Sequence, residues 1–72
     1  MIKIYGKNCI NEALRANKNI EKIFILDVQA KKDNNFVNKV RDLKIPLEIL
    51  PKNKMDSIFG NSHQGYGAYR AN

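Results

Sequence analysis

The sequence predicts an α/β fold, a three-layer α/β/α sandwich around a four-stranded sheet that is mostly parallel or mixed. Short apolar runs with the composition of strands alternate with segments whose apolar residues recur at helical spacing, in the order β-α-β-α-β-α-β. Residues 23–26 are apolar throughout, which is typical of a strand that helices cover on both faces. We therefore expect helices on both sides of the sheet.

The first strand and helix follow from the opening residues. Ile2–Tyr5 alternate apolar with polar side chains, which indicates a short strand. Asn8 is a candidate N-cap of the following helix, because a short polar side chain can accept hydrogen bonds from the free amides of the first turn. Apolar residues three and four positions apart then form one helix face, and the helix is expected to end near residues 17–19.

The middle of the chain predicts a second strand over residues 23–26 and a polar loop over residues 29–34. Apolar residues between positions 36 and 43 recur at helical spacing and predict a second helix. Its N-cap is either Asp33 or Asn34.

The last third predicts a strand at Leu47–Leu50 and a short helix around residues 55–59 that Gly60 ends. Residues 61–65 form a polar loop, and residues 66–69 an extended segment. The direction of this last strand is left open, and an antiparallel strand at an edge of the sheet is one arrangement.

Length and charge limit the function. The 72 residues predict a single domain over residues 1–72, with one thin core and no room for a deep, enclosed active site. Thirteen Lys and Arg against seven Asp and Glu give a net charge of +6, which favours a polyanionic partner. Lysine richness also has a second explanation, the codon bias of an A/T-rich genome. No stretch approaches the roughly 20 apolar residues of a membrane span, and the N-terminus lacks a secretory signal, so we expect a cytoplasmic protein without a membrane partner.

The chain offers few residues for catalysis. Cys9 is the only cysteine and His63 the only histidine, which excludes an internal disulfide and a site with two imidazoles. Cys9 is placed on the core side of the first helix, where a thiol acts as a small apolar group. We predict no catalytic residue and no metal ligand.

The first candidate binding element is the turn that joins the first strand to the first helix. The free amides at a helix N-terminus attract anions, Lys7 adds a positive charge, and Asn8 adds an amide that can contact bases. Alternatively, Gly6 only makes the turn and Asn8 only caps the helix. Loops that follow strands gather at one end of an α/β sheet, which predicts a common basic patch of Lys7 with Arg15, Lys18, Lys31 and Lys32.

The second candidate is the loop of residues 61–65 with the strand after it. His63 and Gln64 can hydrogen-bond phosphates or base edges, Arg70 adds a positive charge, and the tyrosines between them can stack on unpaired bases. The alternative is structural, because glycines here permit close backbone approach and a tyrosine can pack on a helix.

A set of short segments then identifies a resemblance. The segments are Ile4-Tyr5-Gly6-Lys7-Asn8, Glu12-Ala13-Leu14, Ile23-Phe24-Ile25-Leu26, Ile45-Pro46-Leu47, and His63-Gln64-Gly65 with Ala68. Their order and spacing resemble the N-terminal substrate-binding domain of SpoU-type (TrmH-like) RNA 2′-O-ribose methyltransferases. The resemblance covers nearly the whole chain.

The resemblance implies a fold similar to that of kink-turn-binding ribosomal proteins and a role in holding structured RNA, ribosomal RNA more than transfer RNA. It also implies a linker and a knotted catalytic domain beyond this chain, which would take methyl groups from S-adenosylmethionine and form a homodimer. The family's catalytic motifs match no position here, so the chain alone is expected to need no cofactor. The candidate RNA contacts are Lys7, Asn8, Arg15, Lys18, Lys31, Lys32, His63, Gln64 and Arg70.

Two positions depart from the family's pattern. Cys9 replaces a small alanine, and Tyr66 replaces an aliphatic residue, so the last strand is expected to be more exposed than usual. The end of the chain near Ala71 favours a domain cut from a longer enzyme. Two other hypotheses stay open: a freestanding kink-turn RNA-binding protein, and a dimerisation or scaffold domain.

Overall fold

The computed structural model describes residues 1–16 and 19–71. The strands are β1 (Ile2–Tyr5), β2 (Ile20–Leu26), β3 (Leu47–Leu50) and β4 (Tyr66–Arg70). The helices are α1 (Lys7–Arg15), α2 (Asp27–Lys32), α3 (Asn34–Asp42) and α4 (Lys52–Phe59). Within these described ranges, no helix has the length and apolar character needed to cross a membrane.

The sheet is mixed, as predicted, with the strand order β1-β4-β2-β3. β2 and β3 are parallel, whereas β4 runs antiparallel to both of its neighbours, β1 and β2. The direction of the last strand, left open by the sequence, is antiparallel, but β4 lies inside the sheet and not at the edge that was considered for it. Its small residues explain this position: Gly67 has no side chain and Ala68 is fully buried, so helices can pack closely on both faces.

One face of the sheet packs against α1 and α3, and the other packs against α4. Ile23 and Ile25 point to the first face and Phe24 points to the second, as alternation along a strand requires. The first core contains Ile10, Ile23, Ile25, Phe36, Val37, Val40, Tyr66 and Ala68. The second contains Phe24, Leu50, Met55 and Phe59. The predicted α/β/α layering is thus confirmed.

The start of α1 differs from the prediction. Gly6 is the N-cap, with φ at 89°, and Asn8 lies inside the helix, so the expected cap at Asn8 is wrong. The turn at Gly6 is held to the start of β4, because the Gly6 amide donates to the carbonyl oxygen of Tyr66 at 3.0 Å. Cys9 is exposed rather than buried. The buried face of α1 runs through Ile10 and Ala13, and Cys9 is turned away from its centre.

The region expected to be a loop, residues 29–34, contains most of α2. This helix buries none of its residues, so no apolar periodicity reveals it. An acidic residue in its first turn and lysines in its last turn match the helix dipole. Asp33 then caps α3 by accepting a hydrogen bond from the Phe36 amide at 3.2 Å, which confirms one of the two predicted caps.

Candidate nucleic-acid interface

The candidate site lies at the end of the sheet where β1, β2 and β3 finish and β4 begins. The Gly6 amide donates to Tyr66, and the Leu26 amide donates to the carbonyl oxygen of Gly65 at 2.9 Å. These bonds bring together the start of α1, the start of α2 and the turn before β4. The expectation that these loops gather at one end is confirmed.

The turn before β4 presents Gln64 at its tip. The Tyr66 amide donates to the carbonyl oxygen of His63 at 3.0 Å, and φ is positive at both residues between them, 56° at Gln64 and 90° at Gly65. Two central residues with positive φ define a type I′ turn. Gly65 also sits against α2, where an added Cβ would lie 2.5 Å from the Cγ of Gln29.

His63 is buried and makes its hydrogen bonds within the protein. Its Nδ1 accepts from the Gly65 amide at 2.8 Å, and its Nε2 lies 2.6 Å from Oδ1 of Asp56. Because Nδ1 accepts, Nε2 carries the hydrogen and donates to Asp56. Lys52 contacts the other oxygen of Asp56 at 2.7 Å, and hydrogen bonds from Lys52 and then His63 lower the pKa of this carboxyl. Of the two roles left open for His63, the structure favours the structural one.

A second internal network joins α1, α3 and β4 at Asp33. The Oδ2 of Asp33 lies 2.7 Å from Nζ of Lys7 and accepts from the Tyr66 hydroxyl at 2.6 Å. Hydrogen bonds from Lys7 and then Tyr66 lower the pKa of Asp33. Burial and then this hydrogen bond raise the pKa of Tyr66. Tyr66 is buried, with its ring edge-on to Phe36 at 4.9 Å between centroids, so the expectation of a more exposed strand is wrong.

A cleft of about 230 Å³ opens beside this network, between α1 and α3. The residues that line it, which we call the α1–α3 cleft, are Lys7, Asn11, Asp33, Asn35, Phe36 and Lys39. Nζ of Lys39 lies 3.5 Å from Oδ1 of Asn11, so side chains from the two helices meet across the cleft. Sequence reasoning did not single out Asn11, Asn35 or Lys39. The signal that could have found them is a Lys and an Asn four positions apart on each helix.

Most of the predicted contacts lie near this end of the sheet. Lys7 and Asn8 belong to the first turn of α1, and Gln64 is the exposed tip of the neighbouring turn. Lys31 and Lys32 end α2 directly before Asp33, which binds Lys7. Six of the nine predicted residues thus lie at this end, although His63 among them is buried.

The two arginines among the predicted contacts lie at the other end of the sheet. Arg15 ends α1, about 12 Å along the helix from Lys7 at 1.5 Å per residue. Arg70 ends β4, paired in register with Ile2 and Ile20 at the starts of β1 and β2. The expected single patch of Lys7 with Arg15 therefore divides between opposite ends of the sheet, because α1 runs away from the turn that begins it. Lys18 lies outside the described residues.

The exposed groups at this end of the sheet suit binding. Exposed ammonium groups suit phosphates, and amide side chains offer both donors and acceptors to base edges. The histidine, which could serve as a general base elsewhere, is already hydrogen-bonded through both ring nitrogens. The chemistry of this end of the sheet is that of recognition.

Comparisons with known proteins agree with this interpretation. Three relatives assigned to the TrmH family of tRNA/rRNA methyltransferases come from staphylococci. The one from Staphylococcus saprophyticus is 35% identical over 71 residues, covering 97% of this chain and 28% of the relative. Those from Staphylococcus haemolyticus and Staphylococcus aureus are 28% and 30% identical, covering 93% and 90% of this chain and 27% of each relative. No solved structure matches the chain.

The chain thus spans little more than a quarter of the length of these relatives. A family model described as "RNA 2'-O ribose methyltransferase substrate binding" matches residues 3–69, from β1 to β4. This match contains both the turn at Gln64 and the α1–α3 cleft. The chain belongs to the SpoU family of RNA 2′-O-ribose methyltransferase substrate-binding domains.

Proposed function

We propose that this chain recognises RNA for a longer ribose methyltransferase, and that its substrate is ribosomal RNA in preference to transfer RNA. The observation that carries the proposal is the grouping of Lys7, Lys31 and Lys32 with the exposed amide of Gln64 at one end of the sheet. Phosphate contacts from such lysines fix the position of a nucleic acid, and amides contact its bases. Membership of a substrate-binding family supports RNA as the partner.

The reaction itself is assigned to another part of the protein. The relatives are methyltransferases, which favours S-adenosylmethionine as the methyl donor of the whole enzyme. We place the donor site, the catalytic residues and a homodimer contact in the part of the relatives that this chain does not cover. The cytoplasm is the location that fits such an enzyme.

Fluorescence anisotropy with labelled fragments of ribosomal RNA, transfer RNA and duplex DNA of equal length tests the proposal. We expect the ribosomal fragment to bind tightest, with an affinity that falls as salt rises, because phosphate contacts release counterions. Replacing Lys31 and Lys32 together with Gln should weaken binding by about tenfold and flatten the salt dependence.

The matched control removes two positive charges from the opposite end of the sheet, through Arg41→Gln and Lys44→Asn. Both side chains are exposed, and Asn suits the positive φ of 59° at Lys44. Equal losses in the two double variants would contradict a localised interface. Absence of RNA binding together with self-association in sedimentation would favour the scaffold hypothesis. A preference for kink-turn RNA over the same RNA without the kink would favour the kink-turn hypothesis.

A further inference from the structure

We propose that the α1–α3 cleft holds a single unpaired ribonucleotide, with its phosphate on Lys39 and Lys7 and its base edge against Asn11 and Asn35. This inference rests on the proposed function, since it assigns one contact of the RNA that the domain holds. It also separates this cleft from the exposed lysines of α2, which contact phosphates only.

The two helices place the same pair of polar side chains, one Lys and one Asn, on each side of the cleft. Lys7 and Asn11 are four residues apart on α1, and Asn35 and Lys39 are four residues apart on α3, so each pair shares a helix face. The distance of 3.5 Å between Nζ of Lys39 and Oδ1 of Asn11 shows that the two faces oppose each other. The cleft therefore offers an ammonium group and an amide from each side.

The charges in the cleft favour an anion. Both oxygens of Asp33 already accept hydrogen bonds, Oδ1 from the Phe36 amide and Oδ2 from Tyr66 and Lys7. The ammonium of Lys7 has further N–H donors, and its side chain is 45% exposed. Lys39 contacts only a neutral amide among the partners identified in the described residues. Two lysines against one carboxylate leave a positive charge for a phosphate.

The size of the cleft favours a nucleotide over a duplex. Its volume of about 230 Å³ lies below the roughly 300–1,000 Å³ of pockets for drug-sized ligands, so it excludes a duplex and has room for the base edge and phosphate of one nucleotide at most. In an A-form helix the major groove is too deep and narrow for side chains to read, and the shallow minor groove is recognised mostly by shape and by 2′-hydroxyl and phosphate contacts. A base that is unpaired can instead leave the helix and present its edge to two amides.

The first experiment titrates the ¹⁵N-labelled chain with uridine 5′-monophosphate, adenosine 5′-monophosphate and inorganic phosphate, observed by NMR. We expect the mononucleotides to shift the side-chain amide signals of both Asn11 and Asn35. Phosphate alone should leave the Asn35 signal nearly unchanged, whereas Asn11 contacts Lys39 and can respond to phosphate as well. Shifts confined to other residues, or an equal shift of Asn35 with phosphate alone, would overturn the assignment of the base contact.

The second experiment compares a ribosomal RNA hairpin that has one unpaired nucleotide with the same hairpin lacking that nucleotide. The wild-type chain should prefer the first by at least about fivefold, the lower range for a good base contact. Asn35→Ala and Lys39→Gln should abolish the preference. Lys7 is left intact because it also holds Asp33.

Two matched controls lie on the same helix outside the cleft, Asn38→Ala for Asn35 and Arg41→Gln for Lys39; both side chains are exposed. Both controls should keep the preference within about twofold, because neither side chain lines the cleft. Equal binding of the two hairpins by the wild type, with salt-dependent affinity intact, would overturn the cleft assignment but leave the proposed function standing. Failure to bind either hairpin would contradict both.

Discussion

At the scale of single residues, Asp33 does the most to organise the candidate site. It caps α3 through Oδ1, and through Oδ2 it pairs with Lys7 and accepts from the buried hydroxyl of Tyr66. One carboxylate thereby connects α1, α3 and β4 at the base of the α1–α3 cleft. Sequence reasoning recognised the cap but not the other two contacts, because Lys7 and Tyr66 are distant from Asp33 along the chain.

The lowered pKa of Asp33 predicts how stability depends on pH. Lys7 lowers this pKa below its ordinary value of 3.8, so the folded state favours the ionised carboxylate. Its contribution to the free energy of unfolding is present above about pH 4 and decreases as the pH falls through the folded pKa. Asp33→Asn keeps a good N-cap but removes the charge.

Denaturant titrations at pH 6, 4 and 3 check this prediction. The wild type should lose more of its free energy of unfolding between pH 6 and pH 3 than Asp33→Asn does. Asp42→Asn, at the end of α3, serves as the control for loss of an exposed carboxylate. Parallel pH profiles for the wild type and Asp33→Asn would show that the Lys7 contact adds nothing to stability.

At the scale of elements, the packing of α4 on β4 depends on a glycine. A Cβ at Gly67 would lie 2.4 Å from Cε2 of Phe59, whose ring covers the strand. Phe59 packs in turn against Phe24 at 5.6 Å between ring centroids. The close approach of α4 to the sheet therefore requires the absence of a side chain in the middle of β4.

Gly67→Ala should reduce the free energy of unfolding by about 1–3 kcal/mol, because over-packing forces the Phe59 ring out of place. Combining it with Phe59→Leu should make the glycine substitution cost less than it does alone, since the smaller side chain leaves room for the methyl group. Chemical denaturation of the four variants of this cycle measures the coupling. Strict additivity would mean that Phe59 is not the group that meets the new Cβ.

The turn before β4 carries local strain at Gln64. Its φ of 56° is uncommon for a residue other than glycine, asparagine or aspartate, and type I′ turns favour Asn-Gly at the two central positions. Gln64→Asn should therefore raise the free energy of unfolding by about 0.5–1 kcal/mol. The hydrogen bond from Gln29 is kept, because it ends on the backbone oxygen of residue 64.

Thermal and denaturant unfolding check the Gln64 prediction. Asn61→Gln, in the segment before the turn, is the control for interchanging asparagine and glutamine side chains. A lower stability for Gln64→Asn would mean that the glutamine side chain makes a contact that outweighs the strain. Unchanged RNA binding is expected if the amide at this tip is the group that matters, since asparagine retains it.

At the scale of the whole molecule, the topology decides which charges act together. β1, β2 and β3 all run in one direction and β4 returns, so the start of β4 meets the ends of the others. Lys7, Lys31 and Lys32 gather there, whereas Arg15 and Arg70 are carried to the other end. The net charge of +6 is thus divided over the surface, and only part of it can contact one RNA segment.

Much of the architecture could be predicted because it depends on local patterns. The strand at Leu47–Leu50 matches the prediction residue for residue. In β2, which begins three residues earlier than predicted, residues 23–25 are buried as expected and Leu26 is half-buried. Apolar periodicity fails where an element is not amphipathic, as in α2. Periodicity also fails for Cys9, which was expected to be buried and is exposed. Cys9 is next to Ile10 in the sequence, but neighbouring residues of a helix point about 100° apart, so the position at the edge of an apolar face is not fixed by spacing alone.

The sequence by itself determined the α/β class, the order of all elements except α2, and the resemblance to a substrate-binding family, since these depend on periodicity, turn residues and spacing along the chain. Tertiary structure alone decided that β4 lies inside the sheet, that His63 and Tyr66 are buried anchors, and that Asn11 meets Lys39 across a cleft. The physical reason is that contacts between residues about 30 positions apart depend on how strands pair and helices pack, which no local pattern records.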